Sequence, residues 1–277
     1  MRNAGRWLFK LARILAVAYV ATVALMFALQ TQLLFPTYMV SGSEPPMPAS
    51  AIRLEVATPD GERLRGVHLP PAEERMGERA GERLVVLGFG GNAWNAGSLA
   101  VYLHQLFPDA EVVAFHYRGY QPSSGSPSAA ALLADTSVVY DHVLETVGAG
   151  RVVAVGISIG ASIAAELAAQ RPLAGLILVT PFDSLEALAR DHYPWAPVGW
   201  LLRHHMSTVG SLRGLATPTA LITAERDTIV PPHRTVAVRR AISSLVLDRT
   251  VKNAGHNDLF GHPDFREAMT EALARID

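Results

Sequence analysis

Residues 151–167 read RVVAVGISIGASIAAEL and place a single serine, Ser158, between two glycines. A β-branched apolar run precedes this pentapeptide, and an alanine-rich run follows it. Because β-branched residues favour strands and alanine favours helices, the order predicts a strand, a tight turn and a helix. Bulky side chains at positions 156 and 160 would collide with the neighbouring strand and helix. The glycines therefore make room for a strained turn that exposes the Ser158 hydroxyl.

Short β-branched runs recur along the chain and predict further strands. They lie at residues 83–89, 111–117, 173–180, 219–225 and 244–251, and Asp60-Gly61 separates two alternating stretches as in a hairpin. Helix-like stretches lie between the runs. Apolar strands that alternate with helices are typical of a mostly parallel sheet covered on both faces. Functional sites in such sheets form in loops at the carboxyl ends of strands.

The N-terminal segment predicts a membrane anchor at residues 1–35. Four basic residues precede position 14, and the next 30 positions carry no charge. Ile14–Leu34 supplies 21 residues, about the length that crosses a bilayer. The basic end predicts a cytoplasmic N-terminus and an extracytoplasmic catalytic domain, periplasmic in a bacterium. A cleaved signal peptide and a buried helix are the alternatives, but no clear small-residue cleavage site follows the apolar run.

The remaining chain is long enough for one large domain. Residues 36–50 form a predicted Pro/Ser linker and residues 51–277 the predicted catalytic domain. Apolar residues make up 49% of the chain, so a sizeable core is available. The formal net charge of −1 and the lack of a long basic run argue against a nucleic-acid-binding protein. With no cysteine, the chain has no disulfide and no thiolate nucleophile.

Ser158 needs a base, and His256 is the best-placed histidine for that role. It lies in a glycine-containing loop after the last predicted strand, and Asp227 follows the preceding strand. The order Ser158, Asp227, His256 is the order that a strand–elbow–helix hydrolase uses. We therefore predict a nucleophile, an orienting acid and a base, in that order along the chain.

Two alternatives remain for these polar groups. Asp183, after the strand that ends near residue 180, is a rival for the acid. A metal site built from His256, Asp258 and His262 is a second possibility, since imidazole and carboxylate groups bind transition metals.

Acyl transfer also needs donors for the developing oxyanion. The backbone N–H of Ile159, at the start of the predicted helix, is one candidate. The other is the backbone N–H of Asn92 in the glycine-rich loop GGNAWNAG, residues 90–97. An ordinary glycine-rich turn is the alternative for that loop.

With these motifs, the chain resembles the α/β-hydrolase superfamily over roughly residues 50–277. It is most similar to the membrane-anchored single-domain branch that includes protein depalmitoylases and many bacterial members. The motifs that carry the resemblance are LLFPTY (33–38), GGN (90–92), YRGYQPSSGSPS (117–128), GISIG (156–160), ERD (225–227) and GHND (255–258). Gly90 stands where the branch usually has histidine, and Gln121 where it usually has glycine.

The resemblance implies a mostly parallel eight-stranded sheet with helices on both faces and a small cap. We assign the cap to residues 184–214, with Tyr193, Trp195, Trp200 and Leu201 directed toward the site. A plain pair of packing helices is the alternative.

The predicted activity is hydrolysis of an acyl ester or thioester without a cofactor. A flexible 15-residue linker extends about 20 Å, which keeps the cap near the lipid headgroups and favours a lipophilic acyl substrate, lipids included. A serine peptidase or amidase is one alternative, with Glu225 or Asp183 receiving the substrate amine. A non-catalytic, membrane-tethered binding domain on the same fold is the other.

Overall fold

The β-branched runs form the strands of one central sheet. The computed structural model describes residues 2–40, 46–71, 83–148 and 150–276. Eight strands lie in these ranges: β1 (Ile52–Ala57), β2 (Arg63–Leu69), β3 (Leu84–Phe89), β4 (Glu111–Phe115), β5 (Arg151–Ile157), β6 (Gly175–Val179), β7 (Thr219–Ala224) and β8 (Leu245–Val251). Each of the runs in the sequence corresponds to one of them, so the strand prediction is confirmed.

The strand order across the sheet is β1-β2-β4-β3-β5-β6-β7-β8. The hairpin β1–β2 and the β2–β4 pair are antiparallel, and all other neighbouring pairs are parallel. All residues of the interior strands β5 and β6 are buried except Arg151, the first residue of β5. Such burial is expected for strands covered on both faces. The predicted mostly parallel, eight-stranded sheet is confirmed.

Helices cover both faces of the sheet. They are α1 (Arg2–Leu34), α2 (Ala96–Leu106), α3 (Ala129–Val147), α4 (Ile159–Gln170), α5 (Leu185–His192), α6 (Val198–Leu201), α7 (Thr208–Leu212), α8 (Pro232–Ala241) and α9 (Pro263–Ile276). Apolar side chains of α3, α4, α7 and α8 share one core cluster, and those of α2 and α9 share the cluster on the opposite face. This two-sided burial leaves the loops at the strand ends free to carry a site.

Helix α1 is different, because most of its apolar surface is not covered by protein. With 33 residues it is about 50 Å long, and it is long and apolar enough to cross a membrane. Every residue from 5 to 22 is exposed, including Trp7 and Phe9, whose exposed fractions are 65% and 73%. Such a surface matches the N-terminal apolar helix that the sequence predicts.

The carboxyl end of α1 packs on the rest of the chain. Phe35 and Val40 are buried and belong to the core cluster that includes α3 and α4. Between them Thr37–Met39 forms a 3-10 turn. Phe35 and Val40 therefore hold residues 36–40, the first of the predicted linker, against the core. Residues 41–45 lie outside the described residues.

Candidate active site

Ser158 occupies the turn between β5 and α4. Its backbone has φ 54° and ψ −115°, a conformation that non-glycine residues rarely adopt. The Ser158 N–H donates to the carbonyl oxygen of Val179 at 2.9 Å, which ties the turn to the neighbouring strand β6. The residue is thus held in a strained conformation by the sheet, as predicted for an exposed nucleophile.

The two flanking glycines make room for this turn. A Cβ atom at Gly156 would lie 2.4 Å from the carbonyl oxygen of Gly160 and 2.6 Å from the Cα atom of Ala161. At Gly160 it would lie 2.1 Å from the carbonyl oxygen of Phe89. Since the obstructing atoms are backbone, no side-chain rotation relieves the clash. The steric explanation given for the glycines is confirmed.

His256 and Asp227 form a close pair. His256 Nδ1 lies 2.7 Å from Asp227 Oδ2, and the Asp227 side chain is almost fully buried. The other carboxylate oxygen, Oδ1, accepts backbone N–H groups from Ile229 and Val230 at 2.9 and 2.7 Å. These two donors fix the carboxylate, and the carboxylate in turn fixes the imidazole.

Ser158 and His256 line the same cavity of about 350 Å³. Its wall also includes Gly91, Asn92 and Ile229, and the rings of Trp94 and Phe260 are among its apolar lining. The structure therefore brings together the predicted nucleophile, the predicted base and one predicted oxyanion loop, and Asp227 stands behind the base.

Ile159 is the first residue of α4 and is buried directly beside the elbow. The first N–H groups of a helix have no acceptor within that helix and carry the positive end of its dipole. The predicted donor at Ile159 is thus at a helix N-terminus next to Ser158.

The second predicted donor lies in a loop that its own side chain anchors. Asn92 Nδ2 donates to the carbonyl oxygen of Leu34 at 2.7 Å, and Asn92 Oδ1 accepts from the Tyr120 hydroxyl at 2.8 Å. The next residue, Ala93, has a φ of 63°. The side chain thus fixes the position of the backbone amide and links the loop to the end of α1.

Tyr117 supports the same loop where histidine is replaced by Gly90. Its hydroxyl donates to the Gly90 carbonyl oxygen at 2.7 Å. Burial raises the pKa of the Tyr117 hydroxyl well above its usual value, which keeps the group protonated as a donor. Sequence reasoning missed this bond and the Tyr120 bond, although both tyrosines belong to the YRGY motif that it singled out.

Arg118 of the same motif has a structural role. Its guanidinium donates to both carboxylate oxygens of Asp135 on α3, at 3.0 and 2.6 Å. It also donates to Asp60 in the β1–β2 hairpin. Hydrogen bonds to these two acids raise the pKa of Arg118 and lower that of Asp60. The residue connects two loops and a helix rather than lining the cavity.

The rival acid Asp183 is engaged elsewhere. Its carboxylate accepts from Arg234 at 3.1 Å and from the Ser184 N–H at 2.8 Å. Asp258 accepts from the Gly255 N–H at 2.6 Å, and so supports the loop that precedes His256. Asp227 is the acid at hydrogen-bonding distance from His256.

The aromatic residues of segment 184–214 do not face this cavity. Tyr193 and Leu201 face α1 instead, Trp195 contacts Tyr19, and 91% of the Trp200 side chain is exposed. The predicted direction of these side chains was wrong, because the end of α1 provides an apolar surface that competes with the site for them.

Comparison with known proteins agrees with this geometry. Residues 84–200 match the family model described as alpha/beta hydrolase fold. The uncharacterized protein Rv2307c of Mycobacterium tuberculosis is 32% identical over 87% of this chain and 86% of its own length. The chain is an α/β-hydrolase. The superfamily inferred from the motifs is confirmed.

The chain is also similar to a hydrolase-domain protein and to a membrane phospholipase. Alpha/beta hydrolase domain-containing protein 17C of Xenopus tropicalis is 24% identical over 70% of this chain and 63% of its own length. The crystal structure of a membrane phospholipase A, described as a bacterial virulence factor, superposes with a TM-score of 0.61 at 16% identity and covers 98% of both chains. The second similarity shows a shared fold that extends over nearly the whole chain, α1 included.

Proposed function

We propose that this hydrolase is a serine enzyme that cleaves acyl esters or thioesters through an acyl-enzyme at Ser158. The observation that carries the proposal is the 2.7 Å contact between His256 and the buried Asp227, with His256 and Ser158 lining one cavity. A serine, an imidazole and a carboxylate in these positions are the groups that nucleophilic acyl transfer needs.

In the proposed reaction, the neutral His256 directs its Nδ1–H at Asp227 and presents Nε2 as the base. Nε2 takes the hydroxyl proton as Ser158 Oγ attacks the acyl carbonyl, and then gives it to the leaving alcohol or thiol. Water then attacks the carbonyl of the acyl-enzyme and loses a proton to Nε2, which gives it to Ser158 Oγ as the bond between the acyl group and Oγ breaks and the acid leaves. Asp227 stabilises the imidazolium in both steps without becoming protonated.

The oxyanion of each tetrahedral intermediate is assigned to the backbone N–H groups of Ile159 and Asn92. Ile159 offers a helix N-terminus, where the dipole favours negative charge. Asn92 offers an amide whose position its side chain fixes through Leu34 and Tyr120. Preorganised donors of this kind stabilise charge without moving during the reaction.

A lipophilic acyl substrate fits this site better than a charged one. Trp94, Ile229 and Phe260 line the cavity with apolar surface. The membrane phospholipase A with the same fold is, by its description, an enzyme of lipids. A peptidase that holds a substrate amine would need a carboxylate there, whereas Glu225 pairs with Lys252 at 2.8 Å and Asp183 with Arg234.

We also propose that α1 anchors the enzyme with its N-terminus in the cytoplasm and the catalytic domain on the extracytoplasmic side. The four basic residues of α1 all precede Ile14, and the apolar part of α1 follows them. Reporters active in only one compartment, fused after residue 50, test this orientation. Activity of a cytoplasmic reporter alone would contradict it.

Fluorophosphonate labelling tests the nucleophile directly. We expect a fluorophosphonate probe to modify Ser158, and p-nitrophenyl butyrate hydrolysis to disappear in Ser158→Ala. Ser162→Ala is the matched control, because Ser162 lies in the first turns of α4 but bonds to Thr208 at 2.6 Å. Retained labelling and turnover in Ser158→Ala would contradict the proposal.

A further inference from the structure

A second cavity lies between α1 and the segment that carries α5 and α6. Its volume is about 120 Å³. Helix α1 contributes Val23, Met26 and Leu34 to its wall, and the opposite side contributes Ala189, Tyr193 and Val198. We call this cavity the α1 groove. It is separate from the cavity that contains Ser158.

The Gln30 side chain in the wall of the α1 groove is already paired. Gln30 is the polar α1 side chain in its wall, and its Nε2 donates to the carbonyl oxygens of Phe27 and Leu201. Its Oε1 accepts the Arg203 N–H at 2.8 Å. The rest of the wall consists mainly of apolar side chains, so the α1 groove suits a hydrocarbon segment better than a polar group.

The groove begins where the exposed apolar stretch of α1 ends. Residues 5–22 are exposed, and the α1 side of the groove runs from Val23 to Leu34. A chain that leaves the lipid along α1 therefore meets the groove first. Beside it Trp195 and Trp200 are exposed, and aromatic side chains of this kind favour the membrane interface.

The groove adjoins the catalytic cavity at two points. Leu34 lines the groove, and its carbonyl oxygen accepts from Asn92, which lines the catalytic cavity. On the other side, His192 donates from Nε2 to the carbonyl oxygen of Ile229 at 2.8 Å. His192 directly precedes Tyr193 of the groove, and Ile229 belongs to the catalytic cavity.

From these contacts we infer that the α1 groove binds the acyl chain of a long-chain lipid substrate while its ester lies at Ser158. The inference rests on the proposed function and specifies its substrate class. The substrate enters from the bilayer along α1, so the membrane helix forms part of the substrate site as well as the anchor.

A chain-length comparison tests this assignment. Ala189→Phe places a ring in the groove, and Val198→Phe does so from α6, in case the first variant fails to fold. A methylene group in an apolar pocket changes kcat/KM by roughly 10- to 200-fold. We expect kcat/KM for p-nitrophenyl laurate to fall at least ~10-fold, with p-nitrophenyl butyrate unaffected. Ala169→Phe, at an exposed position of α4, is the matched control and leaves both values unchanged.

Equal losses for both esters, or no loss for laurate, in a folded groove variant would overturn the inference. Photolabelling separates this failure from failure of the proposed function. Ser158→Ala protein in phosphatidylcholine vesicles is irradiated with a long-chain fatty acid that carries a terminal diazirine. We expect labels on residues 23–34 or 189–202 that disappear when Ala189→Phe is added, whether or not the enzyme cleaves esters. Labels confined to residues 5–18, or unchanged by Ala189→Phe, would show bulk lipid contact alone.

Discussion

Asn92 donates a hydrogen bond of 2.7 Å to the carbonyl oxygen of Leu34, the last residue of α1. The amide that donates belongs to the loop assigned to the oxyanion, and the carbonyl belongs to the apolar N-terminal helix. Carbonyl oxygens in the last turn of a helix receive no hydrogen bond from an N–H group of that helix. The bond therefore satisfies the helix end and fixes the loop at the same time.

Asn92→Ala tests this link. The backbone N–H of position 92 remains, but its anchor to Leu34 and Tyr120 is lost. Because a displacement of about 1 Å can cost 10²-fold in rate, we expect kcat to fall roughly 10- to 100-fold. Tyr120→Phe removes only one of the two bonds and serves as the control with a smaller loss. Wild-type kcat in Asn92→Ala would contradict a positioning role for the side chain.

The strands and the elbow were predictable because their causes are local. Each strand is a β-branched run. The turn at Ser158 depends on Gly156 and Gly160, whose neighbours in space lie either close in sequence or at the end of the adjacent strand β3. The pairing of Asp227 with His256 followed from the rule that strand-end loops meet at one edge of the sheet.

The packing of α1 was not predictable from the sequence alone. Gln30 bonds to Leu201 and Arg203, more than 170 positions away, and no local pattern marks such a partner. The cap aromatics are a related case. Apolar side chains must find an apolar surface, but the sequence does not say whether the active site or α1 supplies it.

Asp227→Asn tests the identity of the orienting acid. Loss of the carboxylate changes the favoured tautomer of His256, and a replacement of this kind lowers kcat about 10⁴-fold in a serine triad. Asp183→Asn is the matched control, because Asp183 bonds to Arg234 instead. We expect it to lower the melting temperature with a much smaller loss of kcat. Steady-state ester hydrolysis measures both, and the reverse ranking would assign the acid to Asp183.

Gly160→Ala tests the close approach at the elbow. Its Cβ would lie 2.1 Å from the Phe89 carbonyl oxygen, so the backbone of β3 or α4 must move. Overpacking of this kind costs about 1–3 kcal/mol in the free energy of unfolding, and a clash with backbone atoms should reach the upper end of that range. Gly261→Ala is the control, because a Cβ there meets no atom within 4 Å. Denaturant unfolding in detergent micelles measures the difference, and equal stability of the two variants would contradict the argument.

Ser158→Gly tests whether the elbow stores strain. A non-glycine residue in such a sparsely populated conformation costs on the order of 1–3 kcal/mol, and glycine avoids most of that cost. Glycine also has more conformational freedom in the unfolded chain, and this lowers the stability of the folded state. The relief of strain is the larger effect, so Ser158→Gly should be about 1 kcal/mol more stable than Ser158→Ala. Both variants lack the nucleophile, so only the free energy of unfolding is compared. If Ser158→Ala were the more stable variant, the backbone at this residue would not be strained.

His204 makes the contact between α1 and the catalytic domain sensitive to pH. Its Nδ1 accepts the Ala129 N–H at 3.4 Å, and its Nε2 lies 2.9 Å from the Thr31 hydroxyl. The ring also packs edge-on against Phe35. Burial first, and then the neighbouring Arg203 and His205, lower the pKa of His204 from its ordinary value of 6.5. Only the neutral ring accepts at Nδ1, so this arrangement requires an unprotonated histidine.

The sign of the resulting pH dependence follows from proton binding. Between the folded-state pKa and 6.5, the unfolded chain binds more protons at His204 than the folded chain does. The contribution of His204 to stability is therefore complete above 6.5 and is lost as the pH falls toward the folded-state pKa. We expect the melting temperature to fall less steeply with pH below 6.5 in His204→Gln than in the wild type. His205→Gln, at the exposed neighbouring position, removes the smallest of the three causes that lower the pKa of His204, so it should change the slope only slightly. Equal slopes in the wild type and His204→Gln would contradict the assignment.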